Sequence, residues 1–373
     1  MQQHIAKFIY DCDGVLQVGT GCSGTDLILT VLNSLSDYWK QVWDLKLQVE
    51  HTFSVEKEEF KQKFILQHHS PSALFSDITT LTDGPQVNLI SGEEIDVPTV
   101  TLWVSGFECD NFSGLSSDFR SGSTVGCVSD NTGKSGRTAT GCLKYIVKAR
   151  PPLVILENVK NLGGGSALGE KLSTDLHQVI AVMNRAGYVV HYEVLAPTTY
   201  GCPQSRDRLY IFAVLVSQEP VEQLDHGFAM PHFMRQLPLF LRAFRIPTRE
   251  LSEFLLDHDN YWVERWIQAQ REVRRSSGNS GGEKDKKFEV DHLAAYRQMG
   301  LTWPPDCKED PGFPERVDYL VRRQLEIAWF HNRLFADDPT DVETTKDLNM
   351  SMGWQNEKSS SIAQCLVSTS RPF

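Results

Sequence analysis

The sequence predicts an α/β protein: a doubly wound, mostly parallel sheet followed by a smaller second region. Three observations carry that reading. The first two thirds of the 373 residues alternate short β-rich runs with helical stretches, the order in which a parallel sheet with helices on both faces is laid down. With 40% hydrophobic and 23% charged residues, the chain holds enough apolar material for a real core. After Val216 the alternation stops, and helical runs with clustered aromatics and arginines take over.

The expected strands are Gly14 to Val18, Gln48 to Val55, Leu74 to Phe75, Thr101 to Ser105, Leu153 to Leu156, Val189 to Leu195 and Leu209 to Val216. Each is a short β-rich run. Helices are expected near Thr25 to Ser36, Gly141 to Ala149 and Leu172 to Ala186. The stretch from Phe112 to Gly141 is rich in Ser, Gly and Thr, and reads as a loop too long and polar for an ordinary connection. The composition shift places a first domain at residues 1–217, a second region at 218–347 and a return segment at 348–373. Within the second region, residues 274–287 are low in complexity and read as a flexible insertion.

A net charge of −11 excludes a uniformly basic surface that holds a polyanion by charge alone, so any nucleic-acid contact must be local. The least acidic window is 231–297, with 12 Lys and Arg against 10 Asp and Glu. The N-terminus lacks the apolar core of a secretory signal. Uncharged apolar runs fall far short of the ~20 residues that cross a bilayer, so no membrane partner is expected. Eight cysteines are spread thinly, with no CxxC pair and no zinc-type cluster. Reduced thiols and an intracellular setting follow as expectations, nuclear in a eukaryote and cytoplasmic in a bacterium.

Four constellations have chemical potential. Gly19-Thr20-Gly21-Cys22-Ser23-Gly24 is a GxGxxG that follows a strand and opens a helix, a turn that brings backbone amides close to a nucleotide. Glu56 and Asp77 end the next two candidate strands and suit ribose hydroxyls and adenine; a tight turn beside two solvated acids is the plainer alternative. Cys109 follows the strand Thr101 to Ser105, where open α/β sheets place ligands, and suits a nucleophile or a small buried side chain. Glu157 follows the strand Leu153 to Leu156, either to meet a heterocycle nitrogen or to cap a helix. Arg206 and Arg208 alternate on an extended run and suit a phosphate or base carbonyl, or an ion pair with Asp207.

In this order the GxG loop, the strand-end acid, Gly106-Phe107-Glu108-Cys109-Asp110-Asn111-Phe112-Ser113, Glu157-Asn158-Val159 and Gly201-Cys202-Pro203-Gln204-Ser205-Arg206-Asp207-Arg208 resemble the cytosine carbon-5 DNA methyltransferases. The resemblance covers roughly residues 14 to 217. It implies a Rossmann-like methyltransferase fold and S-adenosyl-L-methionine as cofactor, held by Cys22, Ser23, Gly24, Glu56 and Asp77. It assigns Cys109 as the nucleophile toward carbon 6 of a flipped cytosine in double-stranded DNA. Glu157 falls to ring nitrogen 3, and Arg206 and Arg208 to the base carbonyl. The loop after Phe112 would fill the vacated place in the duplex. The second region would be a target-recognition domain, with Arg235, Arg242, Arg245, Arg265, Arg271, Arg274 and Arg275 facing phosphates.

Three departures modify the expectation. Cys22 replaces the aromatic that normally lies against the cofactor, which lowers expected affinity. Glu108 and Asp110 replace the family's proline and glutamine and should disfavour the thiolate. The family's closing Gly-Asn-Ser motif is not found before Phe373. Those departures admit a catalytically impaired nucleic-acid-binding homologue or fragment, and the RNA-directed branch of the superfamily stays open. A nicotinamide oxidoreductase is the outside alternative, and it leaves Glu157 and the arginines without work.

Overall fold

A computed structural model describes residues 2–112, 126–163, 174–217, 232–254, 260–276, 288–298, 300–305, 326 and 363–364. The chain divides into two compact units: Met1–Leu195 with Asp207–Ala243, and Ala196–Arg206 with Phe244–Phe373.

In the first unit the chain runs α1 (Gln2–Asp11), β1 (Val15–Gly21), α2 (Leu27–Trp43), β2 (Gln48–Val55), α3 (Glu59–His68) and β3 (Ala73–Phe75). A small ribbon follows, β4 (Gln86–Val87) and β5 (Glu94–Ile95), then β6 (Leu102–Ser105), α4 (Gly133–Ala149), β7 (Leu153–Val159), α5 (Thr174–Arg185) and β8 (Tyr188–Leu195). After β9 (Gln204–Ser205), which belongs to the second unit, come β10 (Arg208–Leu215) and α6 (His232–Ala243). Seven strands form one sheet in the order β3-β2-β1-β6-β7-β10-β8. Only β10 runs against its neighbours, antiparallel to both β7 and β8. This is the expected doubly wound sheet, in the strand order of a Rossmann-like methyltransferase. The order reverses between β1 and β6, so a crevice opens at their carboxyl ends.

Both faces of the sheet are covered. On one, Phe53, Phe75, Trp103 and Leu156 pack with Tyr145 and Ile146 of α4 and Leu176 and Val179 of α5. On the other, Leu16, Val18 and Leu102 meet Leu29 of α2, with Phe8 and Ile9 of α1 alongside. Burying a side chain such as Phe53 or Leu16 contributes about 1.5–3 kcal/mol.

The structure corrects the sequence reading at several points. The first strand runs on to Gly21, so Gly19 and Gly21 lie within β1 rather than in a cofactor loop. A Cβ on Gly19 would stand 2.8 Å from the Phe53 ring, and one on Gly21 2.5 Å from Trp103. These glycines make room for core rings. Helix α4 starts at Gly133, well before Gly141 and inside the stretch read as loop. Its small residues serve close approach: a Cβ on Gly136 would meet the Cys127 carbonyl oxygen at 2.1 Å, and one on Gly141 the Ile78 carbonyl oxygen at 2.5 Å. Residues 113–125 of that stretch lie outside the described residues. Strand β7 continues through Val159, so Glu157 pairs with Tyr210 of β10 instead of capping a helix. Helix α2 extends to Trp43, and α1, which is not among the expected helices, precedes the first strand.

In the second unit, α7 (Tyr261–Ser276), α8 (Phe288–Gln298) and the short β11 (Ala363–Gln364) are described. The 196–206 segment joins it through backbone bonds: Ile246 N donates to Thr199 O at 3.0 Å, Arg249 N to Gly201 O at 3.1 Å, and β9 pairs in parallel with β11. Helix α7 runs through Ser276, so the segment read as an insertion from 274 begins as helix; 277–287 lie outside the described residues. Trp303, Tyr296 and His292 converge on Glu326: Trp303 Nε1 donates to its Oε2 at 3.0 Å, and His292 Nδ1 lies 2.7 Å from the same oxygen.

Candidate active site

At the end of β1 the backbone turns sharply, with Cys22 at φ +50° and Gly24 at φ +63°. Left-handed φ suits Gly24, and the space where its Cβ would stand is open. Glu56, buried at the end of β2, holds this turn: Gly24 N donates to Oε2 at 2.8 Å and Glu58 N to Oε1 at 3.0 Å, with Lys61 Nζ 3.9 Å from Oε1. Asp77, after β3, accepts from the Thr79 amide at 2.8 Å and hydroxyl at 2.7 Å, and its other oxygen lies 3.6 Å from Lys57. Partial burial pushes the Asp77 pKa up, but the Thr79 bonds and Lys57 outweigh it and hold the carboxyl below its ordinary value.

Beneath the turn lies a buried polar chain. Ser54 Oγ donates to Asp26 Oδ2 at 2.6 Å and accepts from Thr20 Oγ1 at 3.1 Å; His51 Nε2 lies 2.7 Å from the same hydroxyl. With the Ser54 proton directed at Asp26, His51 Nε2 is the donor. Desolvation pulls His51 down to about 4 against the pull of Asp26, and His69 adds to the lowering. Cys22, the residue in place of the family's aromatic, hydrogen-bonds the thiol of Cys142, and that bond together with burial raises its pKa well above the ordinary value. Cys142 Sγ in turn lies 3.0 Å from Ser105 Oγ, which donates to Gly21 O at 2.8 Å.

The segment after β6 carries Cys109. Glu108 N donates to Thr138 Oγ1 at 3.1 Å, and Asn111 and Ser135 exchange bonds, Asn111 N to Ser135 Oγ at 3.0 Å and Ser135 N to Asn111 Oδ1 at 3.1 Å. Asn158 Nδ2 on β7 donates to Phe107 O at 2.8 Å, and Asn161 Nδ2 to Phe112 O at 3.1 Å. The Cys109 turn is thus tied to α4 on one side and to β7 on the other. None of Asn111, Ser135, Thr138 and Asn158 is among the expected site residues, although two of them sit inside the quoted motifs. Membership of a motif is the only sequence signal for Asn111 and Asn158, and Ser135 and Thr138 have none. Asp175, also unforeseen, fastens the chain as it re-enters at Gly126 and Val128, accepting from both amides at 3.0 and 2.8 Å.

Glu157 and Arg208 form an ion pair, Nε to Oε1 at 3.0 Å, across the antiparallel β7 and β10. A Cβ on Gly106 would stand 3.2 Å from Glu157 Oε2, so glycine there leaves the carboxylate its place. Burial pushes the half-buried Cys109 thiol above its ordinary pKa; Arg208 pulls it down, while Asp110 and Glu157 push it up. Asp110, 3.5 Å from Lys134, is among the charges that act on Cys109, and Glu108 is among those that act on Cys22. Burial and Asp110 raise the Glu108 carboxyl, with Lys134, Lys57 and Lys61 opposing, and its Oε2 is buried without a hydrogen-bond partner among the described residues.

Arg206 and Arg208 do not share a strand: Arg208 opens β10, while Arg206 belongs to the second unit. Asp207 takes Lys160 at 2.9 Å. Of the expected phosphate contacts, Arg235 and Arg242 are exposed on α6, Arg245 is exposed beyond it, and Arg265 lies exposed on α7 with its guanidinium 5.8 Å from the Trp262 ring. Arg271 is half-buried on α7, and Arg274 and Arg275 fall in its last turn. Among the described residues no group of three His, Cys, Asp or Glu side chains is placed to hold a metal ion, and no helix is long and apolar enough to cross a membrane.

The strand order, with its one reversed strand and its switch-point crevice between β1 and β6, defines a methyltransferase-type domain. The model of the C-5 cytosine-specific DNA methylase family matches residues 21–306. The chain belongs to that family. It is 34% identical over 205 residues to a DNA (cytosine-5-)-methyltransferase, DMT5, of Cryptococcus neoformans, and 27% identical over 333 residues to the protein of that name in Verticillium dahliae. These matches cover 55% and 76% of this chain but only 8% and 13% of the fungal proteins. The type II methyltransferase M.SsoII of Shigella sonnei is 28% identical over 151 residues, 40% of this chain and 35% of its own length. A solved structure of the S. pombe Dnmt2 methyltransferase aligns over 66% of this chain and 61% of its own, at 14% identity and a TM-score of 0.39.

Proposed function

We propose that this chain carries the catalytic part of a DNA cytosine-5 methyltransferase that works through a covalent cysteine adduct. The observation that supports it is the convergence of Cys109, Glu157 and Arg208 at the ends of adjacent strands, in a chain of this family.

The residues present fit S-adenosylmethionine. Among the described residues, two of the buried polar atoms without a hydrogen-bond partner are Ser23 Oγ in the turn and Glu108 Oε2 beside Cys109, and the space over Gly24 is open. Ser23, Gly24 and Cys22 would hold the cofactor from the turn, with Glu56 and Asp77 on its ribose and base; each carboxylate oxygen of Glu56 keeps a further lone pair beyond its present bond. Bound there, the cofactor supplies an electrophilic methyl group on a sulfonium.

The chain's own residues do the rest. Cys109 gives its proton to solvent and its sulfur bonds carbon 6 of a cytosine rotated out of the duplex, so that the π electrons shift through carbon 4 onto ring nitrogen 3 and carbon 5 becomes an enamine nucleophile. Once carbon 5 is methylated its proton leaves to solvent and the sulfur–carbon 6 bond breaks, which frees the thiolate. Glu157 meets ring nitrogen 3 and the amino group, where charge shifts as the adduct forms, and Arg208 fixes that carboxylate and draws the thiol toward its anion. Arg206 is a further candidate for the base carbonyl or backbone. DNA oligonucleotides containing 5-fluorocytosine test this directly. With cofactor present they should form a denaturant-resistant complex that the Cys109→Ser variant loses while still binding DNA; a complex that persists in the variant overturns the nucleophile, and trapping on RNA alone reassigns the substrate.

The raised Cys109 pKa favours a second reading, a homologue slow at neutral pH. The same trap run across pH separates slow from absent chemistry.

A further inference from the structure

We propose that Glu108 is a specificity-determining residue for the cofactor: its carboxylate faces the positive sulfur of S-adenosylmethionine and lets the site distinguish it from the neutral demethylated product. The inference rests on the methyltransferase reading above and extends it to a residue that replaces the family's proline.

Glu108 precedes the nucleophile, and its backbone is fixed by the bond to Thr138 Oγ1. Its segment leaves β6 beside the turn at Cys22, Gly106 N donating to Gly21 O at 3.2 Å, and its charge is among those that act on Cys22. Oε2 is buried with no donor among the described residues, and a dry carboxylate oxygen is costly unless something positive arrives to meet it. The three lysines whose charge reaches it are each paired with another carboxylate, Lys134 with Asp110 at 3.5 Å, Lys57 with Asp77 at 3.6 Å and Lys61 with Glu56 at 3.9 Å.

The chemistry points to the same place. Cys109 bonds carbon 6 while the methyl group arrives at the adjoining carbon 5, and reacting atoms must come within about 3–3.5 Å. The donor sulfur therefore works next to the nucleophile's own segment, on the cofactor-turn side, where Glu108 reaches. A sulfonium has three carbon substituents and no N–H, so charge rather than hydrogen bonding is what can hold it. On transfer the new bond joins the methyl carbon to carbon 5, the sulfur–methyl bond breaks, and its electron pair stays on sulfur as a neutral thioether. The attraction exists before transfer and is gone after it, which favours exchange of product for fresh cofactor.

Titration calorimetry on the full chain reads this without turnover. Glu108→Gln should weaken S-adenosylmethionine about tenfold and S-adenosylhomocysteine less than about twofold, a charge effect of the size expected for a partly buried pair. Glu108→Ala should repeat the pattern, and retained binding of the product analogue shows that the fold is intact. If both ligands weaken equally, or neither does, the carboxylate does not face the sulfur and the proposal falls while the cofactor reading stands. If the unaltered chain binds neither ligand, the cofactor reading falls and takes the proposal with it.

Discussion

At the scale of single residues, the environment of Cys109 is set by which way each neighbour points. Asp110 and Glu157 press its thiol upward in pKa and Arg208 counters them, with burial the leading cause. Asp110→Asn should lower the thiol pKa, since removing a like charge favours the thiolate, and a tenfold gain in thiolate corresponds to about 1.4 kcal/mol between the two protonation states. Alkylation rate against pH reads this without substrate, its midpoint moving to lower pH for Asp110→Asn and far less for Glu108→Gln. An unmoved midpoint in Asp110→Asn would show that Lys134, 3.5 Å away, already cancels that charge. Read from the chain alone, both acids have one role, because adjacency says nothing of direction. Cys109 and Glu157 are legible as candidates, since both follow apolar runs at the rim where such sheets bind ligands.

At the scale of elements, β2 is legible to the residue, a β-rich run from Gln48 to Val55 that ends at Glu56. The start of α4 is not, because Gly133, Ser135, Gly136 and Thr138 have the composition of a loop. What composition cannot express is close approach. Gly136 lets α4 lie against the Cys127 carbonyl, and Ser135 and Thr138 tie it to the Cys109 turn. Gly136→Ala tests the point cleanly, because alanine is the better helix former by about 1 kcal/mol yet must push the carbonyl aside. The clash should win by about 1–3 kcal/mol and lower the melting midpoint by several degrees, with Lys144→Ala on the exposed face close to neutral. A stabilised Gly136→Ala protein would mean that the helix can shift without cost. The same blindness to packing makes Gly19 and Gly21 look like a cofactor loop, and a strand ending makes Arg206 look like Arg208's neighbour on one face.

At the scale of the whole molecule, the buried chain under the turn makes stability depend on pH. His51 sits near pKa 4 in the folded state against about 6.5 unfolded, so the unfolded chain binds more protons between those values. Stability is therefore fully present above about pH 6.5, falls as pH drops, and has lost about 3 kcal/mol by pH 4. Denaturant melts at stepped pH should show that slope, and His51→Gln should flatten it; an equal slope in the variant would place the loss elsewhere. The division into units has a different kind of consequence, for recombination. The second unit is not one stretch of chain, because the short piece Ala196–Arg206 belongs to it and reaches Ile246, Arg249 and β11 through its backbone. A chimera made by a single crossover after Ala243 would pair one parent's strip with the other parent's unit. Exchange of the second unit between relatives thus takes two grafts, with the eleven-residue strip travelling beside the larger piece.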